Sequence, residues 1–468
     1  MQNFWDFSVW GSFSILVILL GSLLVANVLK KCIPFLRDSL IPSSVLGGLI
    51  LLIIASIYKG ITGNVMYDTA FFNGNGSATL EIITYHTLAL GFIASSLKTS
   101  KNKMSKKRTR EIFDSGVTTV STYLVQAILG LGVTIIASLI VTDFFPAAGV
   151  LLPFGFGQGT GQAMNYGIKY EGLVYPDGSL GFIGGKDFGL TIAALGFLCA
   201  SIGGVIHLNI MKKKGKIKVL SPEEKNKLNT EEIENPNEIP MQESIDKFTI
   251  QIAIIAVCYA IAYGVMAGLS ALLPNMSSTI FGFNFLLGVL AAVLVKSILK
   301  LLKKGNVVKK EYTNNFLLTR ASNFFFDIMV VAGIAVIRLD MIEKYWGVLA
   351  ILGVVGLVST YAYNRIVAKT LFGEYVEEQF LAMYGMLTGT ASTGVILLRE
   401  VDGDFKTPAS DNLVYQSLPA IVFGFPMMLL ADLAPYHPYI TLIILVAFFA
   451  VMNLILFRSK IFKKKNKK

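Results

Sequence analysis

The sequence has 468 residues, of which 54% are hydrophobic and 15% are charged. Soluble proteins average about 25% charged residues, so a chain with so few charges and so many hydrophobic residues is not an ordinary soluble globular protein. The formal net charge of +11 would suit a nucleic-acid partner, but the basic residues stand in short clusters beside apolar runs rather than on one soluble face. The expected partner is therefore a lipid bilayer and not a nucleic acid.

Apolar runs long enough to cross a membrane fill the first half of the chain. About 20 consecutive apolar residues cross the roughly 30 Å of hydrocarbon in a bilayer. The first run is preceded by Asp6 and no base, and Lys30 and Lys31 follow it, so it is interpreted as a retained helix rather than a signal peptide. The predicted spans of this half are 9–29, 41–58, 80–97, 112–141 and 188–211.

The second half repeats the count and then adds one span. Its predicted spans are 248–273, 280–302, 316–337, 345–368 and 413–433, followed by an additional span at 439–457. A polar, acidic and Pro-containing stretch, 212–247, separates the two sets and has almost nothing apolar to bury. The sequence thus predicts eleven spans, arranged as five, five and one.

The predicted fold is an all-α polytopic membrane protein built as an inverted repeat of two five-helix halves. Residues 1–211 are the N-terminal membrane domain, 212–247 a cytoplasmic linker, 248–433 the C-terminal membrane domain, and 434–468 an extra helix with a basic tail. Because the repeating unit has an odd number of spans, the second copy enters the membrane upside down relative to the first. Inverted repeats are a common construction of secondary transporters.

Basic residues near the span ends predict the orientation. Cytoplasmic loops are enriched in Lys and Arg. With the N-terminus outside, the strongly basic segments 98–111 and 458–468 both fall on the cytoplasmic side. The chain is therefore expected in the cell membrane, with its N-terminus outside and its C-terminus in the cytoplasm.

Two glycine-rich segments do not fit as spans. One lies near 146–166 and the other near 380–400, each between the fourth and fifth spans of its half. A glycine inside a helix costs about 1 kcal/mol relative to alanine, and non-helical backbone at membrane depth persists only where it is buried in protein or lines a cavity. Each segment is therefore predicted to be a re-entrant hairpin, the first entering from outside and the second from the cytoplasm, so that their tips meet near the midplane.

The hairpin tips are the predicted binding site. Broken helices offer N–H groups to a carboxylate and oxygens to a dehydrated Na⁺. The alternative is that the glycines only permit close helix packing, which leaves the polar residues at membrane depth unexplained. The candidate substrate- or ion-binding residues in the tips are Gly157, Gln158, Gly159, Thr160, Gly161, Gln162, Thr388, Gly389, Thr390, Ser392 and Thr393.

Two motifs resemble those of the sodium/glutamate symporter family. Residues 41–48, Ile-Pro-Ser-Ser-Val-Leu-Gly-Gly, are similar to that family's Ile-Pro-x-x-Val-x-Gly-Gly, and residues 157–163, Gly-Gln-Gly-Thr-Gly-Gln-Ala, resemble its Gly-x-Gly-Thr-Gly-x-Ala hairpin. Gln158 stands where the family pattern leads one to expect His. The resemblance covers nearly the whole chain in span order. It implies two inverted five-helix domains, one re-entrant loop in each, and Na⁺-coupled uptake of L-glutamate.

Charged and titratable residues within spans give further candidates. Arg320 and Asp327 share one face of the eighth predicted span, so Arg320 could bind a substrate carboxylate and Asp327 a Na⁺ or a proton. The alternative is that Arg320 extends to the interface and Asp327 pairs structurally with another helix. Asp432 is interpreted as a solvated interfacial residue, and His207 as a hydrogen-bonded or interfacial histidine.

The sequence predicts a transporter that is not an enzyme. Residues 184–187, Gly-Gly-Lys-Asp, lack the spacing and the Ser or Thr of a phosphate-binding loop, and no motif of an intramembrane protease occurs. No cofactor or resident metal is expected; Na⁺ would act as the coupling ion. The sequence leaves open another carboxylate or a different amino acid as substrate, H⁺ instead of Na⁺ coupling, homo-oligomerisation, and an ion channel built on the same hairpins.

Overall fold

The computed structural model of the chain describes residues 3–98, 105–217, 238–241, 244–403 and 406–461, and these residues form helices without any β-strand. The longer helices, labelled here in chain order, are α1 (Phe7–Cys32), α2 (Ser43–Thr62), α3 (Gly76–Leu97), α4 (Lys106–Ile140), α5 (Leu151–Glu171), α6 (Gly185–Lys213), α7 (Lys247–Leu272), α8 (Asn284–Lys304), α9 (Asn315–Ala335), α10 (Trp346–Leu371), α11 (Val376–Thr388), α12 (Ala391–Arg399), α13 (Ala409–Tyr415), α14 (Ser417–Leu433) and α15 (Pro438–Leu456).

Short helical turns connect several of these helices. The shorter α-helices are Pro34–Asp38, Ser277–Gly282 and Arg458–Ile461, and the 3₁₀ turns are Met66–Asp68, Ala70–Phe72, Pro146–Val150, Pro274–Met276 and Leu339–Tyr345.

The helices identify a multi-pass membrane protein. Within the described residues, 10 helices are long and apolar enough to cross a membrane, and α13 with α14, which are bent by 49° at their junction, bring the number to 11 if the pair counts as one span. Each of the eleven predicted spans corresponds to one of these helices or to the bent pair. Large apolar side chains such as Leu139, Ile140 and Ile443 are exposed, as expected where the surrounding solvent is lipid.

The described residues form two compact units, and each unit contains helices from both predicted domains. Unit 1 comprises residues within Met1–Ala26, Leu46–Lys103 and Asn229–Val336. Unit 2 comprises residues within Asn27–Val45, Met104–Leu228 and Ile337–Lys468. Along the sequence, the first three spans of each half contribute mainly to unit 1. The fourth and fifth spans of each half, with both glycine-rich segments, belong to unit 2.

Unit 1 has a core of small and aliphatic side chains. Ala94 of α3, Cys258 and Ala262 of α7, and Ala292 of α8 are buried together. Small residues at helix interfaces allow close approach of backbones, which is the usual packing mode within a membrane.

The end of the predicted linker is anchored to unit 1 by a buried ion pair. Lys247 is fully buried and lies 2.9 Å from Glu238, whose carboxylate also accepts a hydrogen bond of 2.6 Å from Asn314 Nδ2. Most of the remaining predicted linker, residues 218–237 and 242–243, lies outside the described residues.

Candidate solute-binding site

Helix α5 is interrupted at Gly159, within the first glycine-rich segment. The Gly159 backbone has φ 79° and ψ −167°, a conformation that is essentially restricted to glycine. Gly157 is required for a different reason, because a Cβ atom there would lie 2.0 Å from Cε1 of Tyr123 on α4. The glycines of this segment therefore allow a backbone break and a close helix contact.

The chain reverses direction at this break. The rings of Phe154 and Tyr166 are stacked, with centroids 4.1 Å apart and an interplanar angle of 5°. A continuous helix would separate residues twelve positions apart by about 18 Å along its axis. The two arms of α5 therefore fold back on each other around Gly159.

The second glycine-rich segment contains a similar reversal. Helix α11 ends at Thr388 and α12 begins at Ala391, with extended or irregular backbone at Gly389 and Thr390. A Cβ atom at Gly385 would lie 2.8 Å from Cα of Gly394. The two helices therefore contact each other directly on either side of the break.

Both breaks contact α4 at neighbouring positions. The Tyr123 hydroxyl donates to the Gly157 carbonyl at 3.1 Å, and Gln126 Nε2 donates to the Leu387 carbonyl at 2.9 Å. Tyr123 and Gln126 are one turn apart and share one side of the helix. Helix α4 thus binds backbone carbonyls just before each break.

Helix α6 contacts both segments as well. A Cβ atom at Gly196 would lie 2.6 Å from the Thr388 carbonyl oxygen and 3.1 Å from Cδ2 of Phe156. The two broken helices are therefore brought together inside unit 2, between α4 and α6.

The candidate residues of the two breaks are brought together, and almost all of them are buried. Those classed as buried are Gly157, Gln158, Gly159, Thr160, Gly161, Gln162, Thr388, Gly389, Thr390 and Thr393. Ser392 lies on α12, but its side chain is outside the described set. Asp327 lies on α9 in unit 1, where it is partly buried, and Arg320 on the same helix is exposed with its guanidinium 4.9 Å from the ring centroid of Phe316.

Two polar atoms beside the first break have no hydrogen-bond partner. They are the carbonyl oxygen Oε1 of Gln158 and the amide nitrogen Nε2 of Gln162. Buried polar groups in proteins are almost always hydrogen-bonded, so unpaired ones require an explanation. An amide N–H suits a carboxylate, whereas an amide oxygen suits an ammonium group or a metal cation.

A buried polar stripe on α4 was not predicted from the sequence. Ser115, Thr119, Thr122 and Gln126 are spaced by four, three and four residues and are all buried, so they share one face. They are hydrogen-bonded, respectively, to Gln379, Gln416, Asn364 and Thr360. The stripe could have been predicted from the polar residues at helical spacing inside the predicted span 112–141, because polar residues within a span usually face the interior of the protein.

A charged cluster fixes the start of α11. Arg365 binds both carboxylate oxygens of Glu377 at 2.7 Å each, and His207 Nε2 lies 2.9 Å from the same carboxylate. His207 Nδ1 contacts the Tyr361 hydroxyl at 2.8 Å, so of the two predicted alternatives, hydrogen-bonded or interfacial, the structure has the hydrogen-bonded one. Burial tends to raise the pKa of Glu377, but the hydrogen bonds from Arg365 and His207 outweigh this effect and lower it.

The returning arm of α5 is anchored to α14. The hydroxyls of Tyr166 and Tyr170 donate to the carbonyls of Met428 at 2.9 Å and Ala431 at 2.7 Å. Lys169 forms an ion pair with Asp432. The interpretation of Asp432 as a solvated residue was therefore wrong: a lysine on the returning arm reaches it and leaves its side chain only 23% exposed.

No protein-family model matches the sequence, and no match was found among curated proteins. Among the described residues, no three His, Cys, Asp or Glu side chains come together as a metal site.

Proposed function

We propose that the protein is a secondary active transporter that couples the uptake of glutamate or a related acidic amino acid to Na⁺ by alternating access. The observation that carries this proposal is the pair of broken helices whose breaks both bind α4, at Tyr123 and Gln126. Discontinuous helices near the bilayer midplane are the usual substrate and ion sites of secondary transporters.

In this proposal the two broken helices are re-entrant hairpins of an inverted repeat. With basic clusters on the cytoplasmic side, α5 enters from outside, and α11 with α12 enters from the cytoplasm. The breaks contact α4 near its middle, since Tyr123 and Gln126 lie close to the centre of Lys106–Ile140. This arrangement supports a site that can be reached alternately from either face.

The chemistry of the breaks supports an acidic amino acid as substrate. Gln162 has a free amide N–H for a carboxylate, and Gln158 has a free carbonyl oxygen for an ammonium group or a cation. Helix α12 begins next to Gly389 and Thr390, and a helix N-terminus attracts carboxylates. The motif resemblance to sodium/glutamate symporters favours glutamate among the acidic solutes.

Uptake in proteoliposomes tests the proposal. Purified protein is reconstituted, and entry of radiolabelled L-glutamate is followed under an inward Na⁺ gradient, with K⁺, choline and an inward H⁺ gradient as comparisons. We expect saturable, concentrative uptake that requires Na⁺. Competition by aspartate, malate and citrate identifies the substrate class, and non-saturable flux that never exceeds equilibrium would indicate a channel instead.

A further inference from the structure

Two buried amides on facing helices share one threonine. Gln126 Nε2 of α4 donates to the Thr360 hydroxyl oxygen of α10 at 2.8 Å. Asn364 Nδ2, one turn further along α10, donates to the Thr360 carbonyl at 2.9 Å and to the Thr122 hydroxyl oxygen at 3.3 Å. Thr122, Gln126, Thr360 and Asn364 are each no more than 1% exposed, and we call them the amide cluster.

The backbone contacts fix which atom of each amide is nitrogen. Gln126 approaches the Leu387 carbonyl, and Asn364 approaches the Thr360 carbonyl. A carbonyl can only accept a hydrogen bond, so the atom facing it must be the N–H₂ group of the amide. The other atom of each amide is then the carbonyl oxygen.

Both of these carbonyl oxygens, Oε1 of Gln126 and Oδ1 of Asn364, are buried and have no hydrogen-bond partner. Unpaired buried acceptors are rare, and two of them arise here from residues bound to the same threonine. Rotating either amide by half a turn would not give its oxygen a partner without cost, because the N–H₂ group would then lose its hydrogen bond to a backbone carbonyl.

We propose that the amide cluster is a binding site for a dehydrated Na⁺, with Gln126 Oε1 and Asn364 Oδ1 as ligands. Amide oxygens are ordinary ligands of hard cations. The four side chains of the cluster are neutral, and a divalent ion buried without a carboxylate would retain an uncompensated charge of two. A monovalent cation therefore fits the site.

The site is connected to the second break through Gln126. The Gln126 amide that would bind Na⁺ through its oxygen holds the Leu387 carbonyl through its nitrogen, and Leu387 immediately precedes Thr388 at the end of α11. An ion on Gln126 would thus fix the amide that positions this break. The claim that this Na⁺ is the coupling ion rests on the proposed transport function. The claim that the amide cluster binds Na⁺ can be tested without that function.

Thermal unfolding of the purified full-length protein in detergent provides the test, with no solute present. NaCl is titrated at constant ionic strength with choline chloride. We expect Na⁺ to raise the unfolding temperature of the unmodified protein. Asn364→Ala should increase the Na⁺ concentration for half of this effect at least ten-fold, whereas Asn364→Asp, which retains an oxygen, should still respond to Na⁺.

Asn284→Ala is the matched control. Asn284 is also fully buried, but both ends of its amide are bonded, Nδ2 to the Tyr85 carbonyl and Oδ1 to the Phe285 N–H. Its replacement should lower the unfolding temperature and leave the Na⁺ response unchanged. If Asn364→Ala does not fold, the nearly isosteric Thr360→Val takes its place, because it removes the hydroxyl that holds Gln126 and should also weaken the response.

The outcomes separate this inference from the proposed function. An unmodified protein without a Na⁺ response, or Asn364→Ala and Thr360→Val variants with the unmodified response, would overturn the Na⁺ site; in the second case Na⁺-coupled glutamate uptake could still stand. If Asn364→Ala removes the Na⁺ response and the unmodified protein takes up no glutamate, the Na⁺ site is supported and the proposed function is refuted.

Discussion

The ring of Phe154 stacks on the ring of Tyr166 across the break at Gly159, with 4.1 Å between the centroids. Both side chains are buried, and Tyr166 is also bound through its hydroxyl to the Met428 carbonyl. The stacked rings hold the two arms of α5 together, while Tyr166 attaches the pair to α14. The reversal is therefore maintained by packing on both of its arms as well as by the glycine at its tip.

Gly159→Val is expected to abolish transport while the protein still inserts and purifies. A β-branched residue at φ 79° and ψ −167° carries a local strain of about 1–3 kcal/mol, and the strain acts at the tip rather than in a span. Uptake in proteoliposomes and the elution profile of the purified variant measure the two effects.

Gly132→Val on α4 is the control for this substitution. Gly132 has helical backbone, and a Cβ atom there would meet no atom within 4 Å. Transport should be retained in this variant. Normal uptake by Gly159→Val at normal expression would move the site away from the first break.

The breaks could be predicted from sequence, but the contacts that hold them could not. The segments containing Gly159 and Gly389 carry enough glycine to weaken a continuous helix, and that is a local property of the chain. Gln126, in contrast, binds the carbonyl of a residue 261 positions away, and no local pattern encodes that pairing. The ion pair between Lys169 and Asp432 could not be predicted either, because each residue alone resembles an ordinary charged residue at the end of a span.

The ion pair between Arg365 and Glu377 should contribute strongly to stability. Both side chains are partly buried, with 12% exposed, so removing one partner leaves the other charge poorly compensated, at a cost below the about 3–5 kcal/mol of a fully buried pair. We expect Glu377→Ala to lower the unfolding temperature clearly, and Arg365→Leu combined with it to recover part of the loss.

The pair between Lys107 and Glu374 provides the comparison. Its side chains are 61% and 74% exposed, and exposed pairs contribute little because water and salt screen them. Glu374→Ala should leave the unfolding temperature unchanged. Equal effects of Glu377→Ala and Glu374→Ala would show that the ion pair between Arg365 and Glu377 does not stabilise the start of α11.

Cysteine labelling tests the orientation. Cys32, the exposed native cysteine among the described residues, is replaced by serine, and the buried Cys199 and Cys258 are retained. One cysteine is then introduced at position 74, 103 or 464, and intact cells are treated with an impermeant maleimide. Position 74 should react from outside. Positions 103 and 464, in the basic segments, should react only after the cells are opened, and the reverse pattern would invert the topology.

The two unpaired amide atoms at the first break should contribute differently to solute binding. Gln162→Leu removes an N–H donor, and a hydrogen bond to a charged group contributes about 1.5–3 kcal/mol, so the KM for glutamate should rise at least about ten-fold. Gln158→Leu removes an acceptor for the ammonium group. Glutarate, which has two carboxylates and no amine, should therefore inhibit uptake by Gln158→Leu about as well as it inhibits the unmodified protein.

Inhibition constants of glutamate and glutarate, measured on both variants, separate these roles. Gln162→Leu should weaken the binding of both ligands, because both present carboxylates. Gln158→Leu should weaken the binding of glutamate alone. Gln251→Leu is the control, since Gln251 is a buried glutamine of unit 1 with both amide ends bonded, to the Tyr312 carbonyl and the Asn314 N–H; it should lower stability and leave both constants unchanged. If Gln158→Leu weakens the binding of glutamate and glutarate equally, Gln158 Oε1 binds a cation or has a structural role and does not contact the amine of the solute.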